Sequence, residues 1–186
     1  MILKNNSYLA ETPWVKRGVN HTKESTMTEK RLTIDYIEYS SFEEMEPQDR
    51  ELVAAALDAR KGSYSPYSKF RVGAALLLVD GTVIKGANQE NIAYPSGLCA
   101  ERTAMFAAGA NHPGVAFDTL AVVGGNGDEV CEMPAAPCGA CRQVMAEYQR
   151  LYQRPLKIIL IGTHSTYKFS KVEDILPLIF DSLKVE

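Results

Sequence analysis

Two short stretches constrain this chain more than any others: Cys99-Ala100-Glu101-Arg102 and Pro137-Cys138-Gly139-Ala140-Cys141. Each opens a run of helical character. Residues 99–110 carry Met105, Phe106 and Ala108, and residues 138–152 carry Val144, Met145 and Tyr148 on one side. A fold that satisfies both must bring two helix N-termini together so that three thiols meet. Cys138 and Cys141, one helical turn apart, can face a single point, and Cys99 reaches it from the other helix. Three sulfurs without a fourth protein ligand form the donor set of a catalytic zinc, because a structural zinc is normally closed by four. The free N–H groups and positive dipole end of each helix favour thiolate. Glu101 stands beside the open position, where a carboxylate can take a proton from water and pass it to a substrate nitrogen. Alone it would read as a solvated helix-start carboxylate; next to three spaced thiols the catalytic reading wins. Arg102 and Arg142 each follow a ligand and are placed to offset thiolate charge.

Other uses of the cysteines are less consistent with the chain. An isolated CxxC is also a redox motif, and a zinc ribbon needs a second CxxC or a His pair. His21, His112 and His164 are scattered, and Cys131 reads as a spare core or loop thiol. Two disulfides are possible in principle, but the Cys138–Cys141 spacing favours reduced thiols and a cytoplasmic protein. The net charge is -3 with no basic stripe, which argues against a nucleic-acid partner. Residues 1–20 hold no secretory apolar run, and no stretch approaches the roughly 20 apolar residues of a membrane span. A chain of 186 residues, 46% hydrophobic and 23% charged, suits one domain with a full core.

Read in order, residues 1–26 form a polar, poorly structured extension in which Trp14 and Tyr8 are the large aromatics. Met27 opens a stretch of different character and is a candidate alternative start. Residues 31–39 alternate as a short edge strand. Pro47 suits the first turn of a helix reaching Arg60, and a loop follows over residues 63–68. Residues 70–79 and 82–88 form a hairpin across Asp80-Gly81. Residues 117–124 and 156–161 are buried strands flanking the second cysteine helix, a strand–helix–strand order that predicts parallel pairing. Residues 172–183 read as a terminal helix interrupted by Pro177. The expected fold is a three-layer α/β/α domain over residues 27–186, with a mixed, roughly five-stranded sheet.

The spaced thiols and Glu101 lie within a longer pattern. Phe70-Arg71-Val72-Gly73-Ala74-Ala75 is followed by Asn88-Gln89-Glu90-Asn91, Tyr94, Cys99-Ala100-Glu101-Arg102 and Pro137-Cys138-Gly139-Ala140-Cys141-Arg142-Gln143. CxE followed by PCxxC is the zinc-deaminase signature, here with Cys where other branches carry His. From about residue 48 to 180 the chain resembles the small homotetrameric cytidine deaminases. The resemblance implies Zn²⁺ on Cys99, Cys138 and Cys141, with Glu101 as proton shuttle. It implies that Asn88 and Glu90 bind the ribose 3′-hydroxyl and that Phe70 packs on the pyrimidine. Tyr94 would serve the site near the subunit boundary. Ala100 and Cys138 would present backbone groups to the base edge, and Phe180 would stack on a base bound by a neighbouring subunit. The implied reaction converts cytidine and deoxycytidine to uridine and deoxyuridine, within pyrimidine salvage, releasing ammonia. Two alternatives stay open: a sister deaminase acting on another cytosine compound such as blasticidin, and a non-catalytic structural zinc module.

Overall fold

The computed structural model describes residues 27–180. Contacts divide the chain into Met1–Leu32 and Thr33–Glu186, and the architecture below is that of the second unit. The extension expected over residues 1–26 lies outside the described residues. In chain order the regular elements are β1 (Ile37–Tyr39), α1 (Pro47–Ala59), β2 (Phe70–Leu78), β3 (Val83–Ala87) and α2 (Ala100–Asn111), then β4 (Phe117–Asn126), α3 (Gly139–Tyr152), β5 (Lys157–Ile161) and β6 (Thr166–Phe169).

The strands form one sheet in the order β1-β6-β5-β4-β2-β3. β4 and β5 run parallel, joined through α3 as the strand–helix–strand pattern predicts, and every other neighbouring pair is antiparallel. The β2–β3 hairpin turns at Gly81, whose φ of 90° is a conformation that suits glycine. Alternate residues of the central strands feed two apolar layers. Ala74, Leu76, Leu120, Val122, Ile158 and Leu160 pack with α2 and α3. Ala75, Leu77, Ala121, Val123, Ile159 and Ile161 pack with Leu52, Val53 and Ala56 of α1. Both sheet faces are therefore covered, and this explains why β2, β4 and β5 read as continuous apolar runs. The three-layer α/β/α class stands.

The details differ from the sequence reading in four places. The sheet has six strands rather than five, because Thr166–Phe169 forms β6 between β5 and β1. Four residues that include Lys168 carry too little periodicity to announce a strand; pairing on both sides creates it. Only Ile37–Tyr39 of residues 31–39 joins the sheet. β4 runs on through Gly124 and Gly125 to Asn126 instead of ending at a turn. The expected helix over residues 172–183 is a 3₁₀ turn, Val172–Asp174, followed by irregular chain to Phe180. Pro177 disfavours helix at Leu176, and the Ile175 carbonyl accepts a hydrogen bond from Arg142 at 2.6 Å. Among the described residues, no helix is long and apolar enough to cross a membrane.

Candidate active site

α2 and α3 start side by side, and the cysteines sit at comparable points on each. Cys99 and Cys138 are the N-cap residues, both extended, and neither side chain is spent on capping. Their carbonyls accept the first helical bonds, from Thr103 at 3.0 Å and Arg142 at 3.1 Å. Cys141 lies one turn inside α3, fully buried. The start of α2 is held against β3 by a backbone approach at Gly86. A Cβ there would stand 2.4 Å from the Ala100 carbonyl oxygen and 2.5 Å from the Ala104 nitrogen. Only a glycine lets β3 lie this close to the turn that bears Cys99 and Glu101.

The three sulfurs lie within 4.8 Å of one another, with Cys99 Sγ 3.9 Å from Cys138 Sγ and Cys138 Sγ 3.5 Å from Cys141 Sγ. Three thiolates on a tetrahedral zinc stand about 3.8 Å apart, so the trio fits that ion. Among the described residues it is the one cluster of three or more potential metal ligands. Cys131 is separate from the trio, half-buried, with its backbone bonded to Gly124 and Thr163.

Electrostatics follow from the crowding. The Cys99 thiol is pulled down to about 5, chiefly by its hydrogen bond from Cys141, with Arg102 assisting and burial opposing. Cys141 is pushed up because it donates that bond and is buried. Arg102 Nη2 lies 3.8 Å from Cys99 Sγ, while its buried Nε has no hydrogen-bond partner. Arg142 is placed differently from the sequence expectation. Its Nε donates to the Pro137 carbonyl at 2.8 Å and its Nη1 to Ile175, so it braces the approach to α3 against the C-terminal segment. Of the two arginines offered as charge balance, Arg102 is the one in contact with a ligand sulfur.

Glu101 is 4% exposed, and burial raises its carboxyl above the ordinary range, with the nearby Cys99 charge acting in the same direction. It lines a cavity of about 360 Å³ together with Phe70, Asn88, Glu90, Tyr94, Cys99, Arg102 and Cys138. Zinc, if held by the three sulfurs, would supply Lewis acidity that lowers the pKa of bound water. A buried carboxyl group beside it is suited to taking up a proton and returning it to a bound molecule.

The remaining sequence candidates fall in distinct places. Asn88 and Glu90 follow β3 and are held by a network of hydrogen bonds. Tyr94 is exposed at the rim, its ring 6.1 Å from that of Tyr67 in an edge-on arrangement. Ala100 is fully buried at the first position of α2 and does not line the cavity. Phe180 is exposed, also outside this cavity, and its carbonyl accepts from Gln143 Nε2 at 2.7 Å. Sequence reasoning missed the wall built on Gly124, where a Cβ would stand 2.9 Å from the Phe70 ring and 3.0 Å from Ala135. It also missed Arg60, a buried guanidinium that donates to the carbonyls of Arg71, Gly127, Asp128 and Glu129. The paired glycines at the end of β4 were the visible signal for the first; nothing local pointed to the second.

Residues 46–153 match the family described as the cytidine and deoxycytidylate deaminase zinc-binding region. The chain belongs to this family. It is similar to the cytidine deaminase of Halalkalibacterium halodurans, 44% identical over 129 residues that cover 69% of this chain and 91% of the relative. Similarity to the Sporosarcina psychrophila cytidine deaminase reaches 53% over 98 residues, 52% of this chain and 67% of that protein. The crystal structure of cytidine deaminase from Burkholderia pseudomallei superposes with a TM-score of 0.60 at 43% identity, covering 70% of this chain and 97% of that one. The family is a zinc-binding one, and the sulfur trio is a group within the matched residues that could hold the ion.

Proposed function

We propose that this protein hydrolyses cytidine and deoxycytidine to uridine and deoxyuridine, releasing ammonia, with Zn²⁺ as its cofactor. The observation that carries the reading is the joint placement of Cys99, Cys138 and buried Glu101 on one cavity with Asn88, Glu90 and Phe70. Its volume, about 360 Å³, is in the range of small-molecule sites. Each side chain has a task. Phe70, resting on Gly124, offers a flat apolar surface for a pyrimidine. Asn88 and Glu90 offer a donor and an acceptor for the sugar 3′-hydroxyl. To Ala100, at the start of α2, and to Cys138, the N-cap of α3, we assign the presentation of backbone groups to the base edge. Glu101 moves the protons, and the surrounding protein replaces bulk water with fixed polar groups.

A shared, multi-subunit site is part of the proposal. Tyr64, Tyr67, Ile92 and Tyr94 are all exposed, as are Leu178 and Phe180. Apolar surface of that kind suits an interaction surface, which we assign to a homotetramer in which Tyr94 and Phe180 serve sites at subunit boundaries. A free nucleoside substrate, pyrimidine salvage and a cytoplasmic setting complete the reading, with no nucleic acid or membrane as partner.

The test is a spectrophotometric assay of purified protein with cytidine, deoxycytidine, deoxycytidine monophosphate and blasticidin, run beside metal analysis. Turnover of the first two with one zinc per chain is expected. Turnover confined to blasticidin moves the protein to a sister specificity, and bound zinc without any turnover returns it to a structural module. Light scattering that shows a fully active monomer would reject the shared site.

A further inference from the structure

Asn88 and Glu90 are less free than their place on the cavity suggests. Both lone-pair directions of Asn88 Oδ1 are engaged, one by the Ser63 hydroxyl and one by Val72 N–H at 2.8 Å. Its Nδ2 donates to the Phe70 carbonyl at 2.9 Å, which leaves a single N–H. Glu90 is similarly committed. Oε2 accepts from the backbone N–H groups of Tyr67 at 2.9 Å and Ser68 at 3.2 Å, and Oε1 accepts from the Ser68 hydroxyl. Ser68 Oγ itself accepts from Phe70 N–H at 3.0 Å, so its one proton is directed to Glu90. These bonds also hold the Glu90 carboxyl below its ordinary range, the Ser68 bond foremost.

We propose that Ser63 and Ser68 are positioning residues for sugar recognition: two hydroxyls of one loop orient Asn88 and Glu90 so that the cavity meets a sugar hydroxyl with one donor and one acceptor. The inference rests on the reading that Asn88 and Glu90 contact the 3′-hydroxyl. Neither serine lines that cavity, so both act through the residues they hold. Without Ser63 the Asn88 amide keeps Val72 N–H and the Phe70 carbonyl, which tell its oxygen from its nitrogen, but loses one of the three hydrogen bonds that hold its plane. Without Ser68 the Glu90 oxygen on that side is free to turn toward water. The loop backbone keeps other anchors when either hydroxyl is removed, although Ser68→Ala also leaves Phe70 N–H without its Ser68 partner. Its backbone is pinned by Tyr64 N–H to the Asn88 carbonyl at 2.9 Å and by Glu90 N–H to the Tyr64 carbonyl at 2.8 Å. Ser68→Ala also keeps both amide bonds to Glu90. Alanine at either position thus tests orientation with the loop in place.

The experiment compares cytidine with 3′-deoxycytidine, which lacks only the 3′-hydroxyl, in wild type, Ser63→Ala, Ser68→Ala and Ser68→Thr. For each alanine variant KM for cytidine is expected to rise about tenfold with kcat within about twofold, as loss of uniform binding requires. kcat/KM for the 3′-deoxy compound should change by less than about twofold, and Ser68→Thr, which keeps a hydroxyl, should restore most of the loss. If wild type prefers cytidine but either alanine variant keeps that preference intact, the sugar reading stands and the positioning proposal falls. If both substrates suffer equally, the serines have a general structural role and the proposal falls again. A wild type that handles both compounds alike removes the sugar reading itself, and the proposal with it.

Discussion

The two faces of the sheet are built from the same strands and differ in what they support. On the α1 face, Ala75, Leu77, Ala121, Val123, Ile159 and Ile161 meet Leu52, Val53 and Ala56. On the opposite face, Ala74, Leu76, Leu120, Val122, Ile158 and Leu160 meet α2 and α3. The apolar content is nearly interchangeable. Close backbone approach is also common to both faces: a Cβ on Gly73 would stand 2.2 Å from the Ala56 carbonyl oxygen of α1, and one on Gly86 would stand 2.4 Å from that of Ala100 in α2. What separates them is the helix starts. α1 begins with Glu46 and Pro47, and Asp49 in its first turn pairs with Lys168. α2 and α3 begin on cysteines whose sulfurs converge. Chemistry in this fold depends less on which core is larger than on which helix N-termini share a point.

That contrast can be broken in order of expected effect. Cys141→Ala removes a buried ligand and should abolish stoichiometric zinc and turnover together, read by metal analysis and assay; retained zinc with activity would make the trio incidental. Glu101→Gln keeps the sulfurs and should leave a folded, zinc-loaded protein whose kcat is down about 10³-fold, the scale of a lost general acid–base. Gly86→Ala forces the first turn of α2 away from β3, and a shift near 1 Å at the reacting groups should cost about 10²-fold in kcat/KM. Gly73→Ala is its control. It crowds α1 as severely, so it should lower stability while kcat per folded molecule is unchanged; equal kinetic damage from both would erase the distinction between the faces. Ile159→Ala, in the α1-side layer, should cost about 3 kcal/mol in denaturant unfolding and leave kcat/KM of the folded fraction as it was.

Much of this was legible in the chain because the signals were local. The spacing of Cys138 and Cys141, the Asp80-Gly81 turn and the apolar runs of β2, β4 and β5 each have a short-range physical meaning, and the structure places them accordingly. The failures are non-local. β6 exists because β5 and β1 flank it, and the segment after Val172 forgoes helix where Arg142 takes the Ile175 carbonyl. Arg142 sits directly after a ligand in sequence, yet its guanidinium turns to carbonyls brought in from elsewhere. Arg60 is the same lesson from the other side: an ordinary helix-end arginine becomes a buried brace for residues 127–129, far along the chain.

By itself the sequence determined the donor set, the carboxylate beside it and the α/β class, because thiol chemistry, helix starts and strand periodicity are written within a few residues of one another. Tertiary structure decided the rest: that Cys99 meets Cys138 across 39 positions of chain, that burial raises the Glu101 carboxyl above its ordinary range, and that Ser63 and Ser68 grip Asn88 and Glu90. Those outcomes depend on how closely backbones approach and which carbonyls are left to be satisfied. Such quantities come into being only when distant segments share one packed volume.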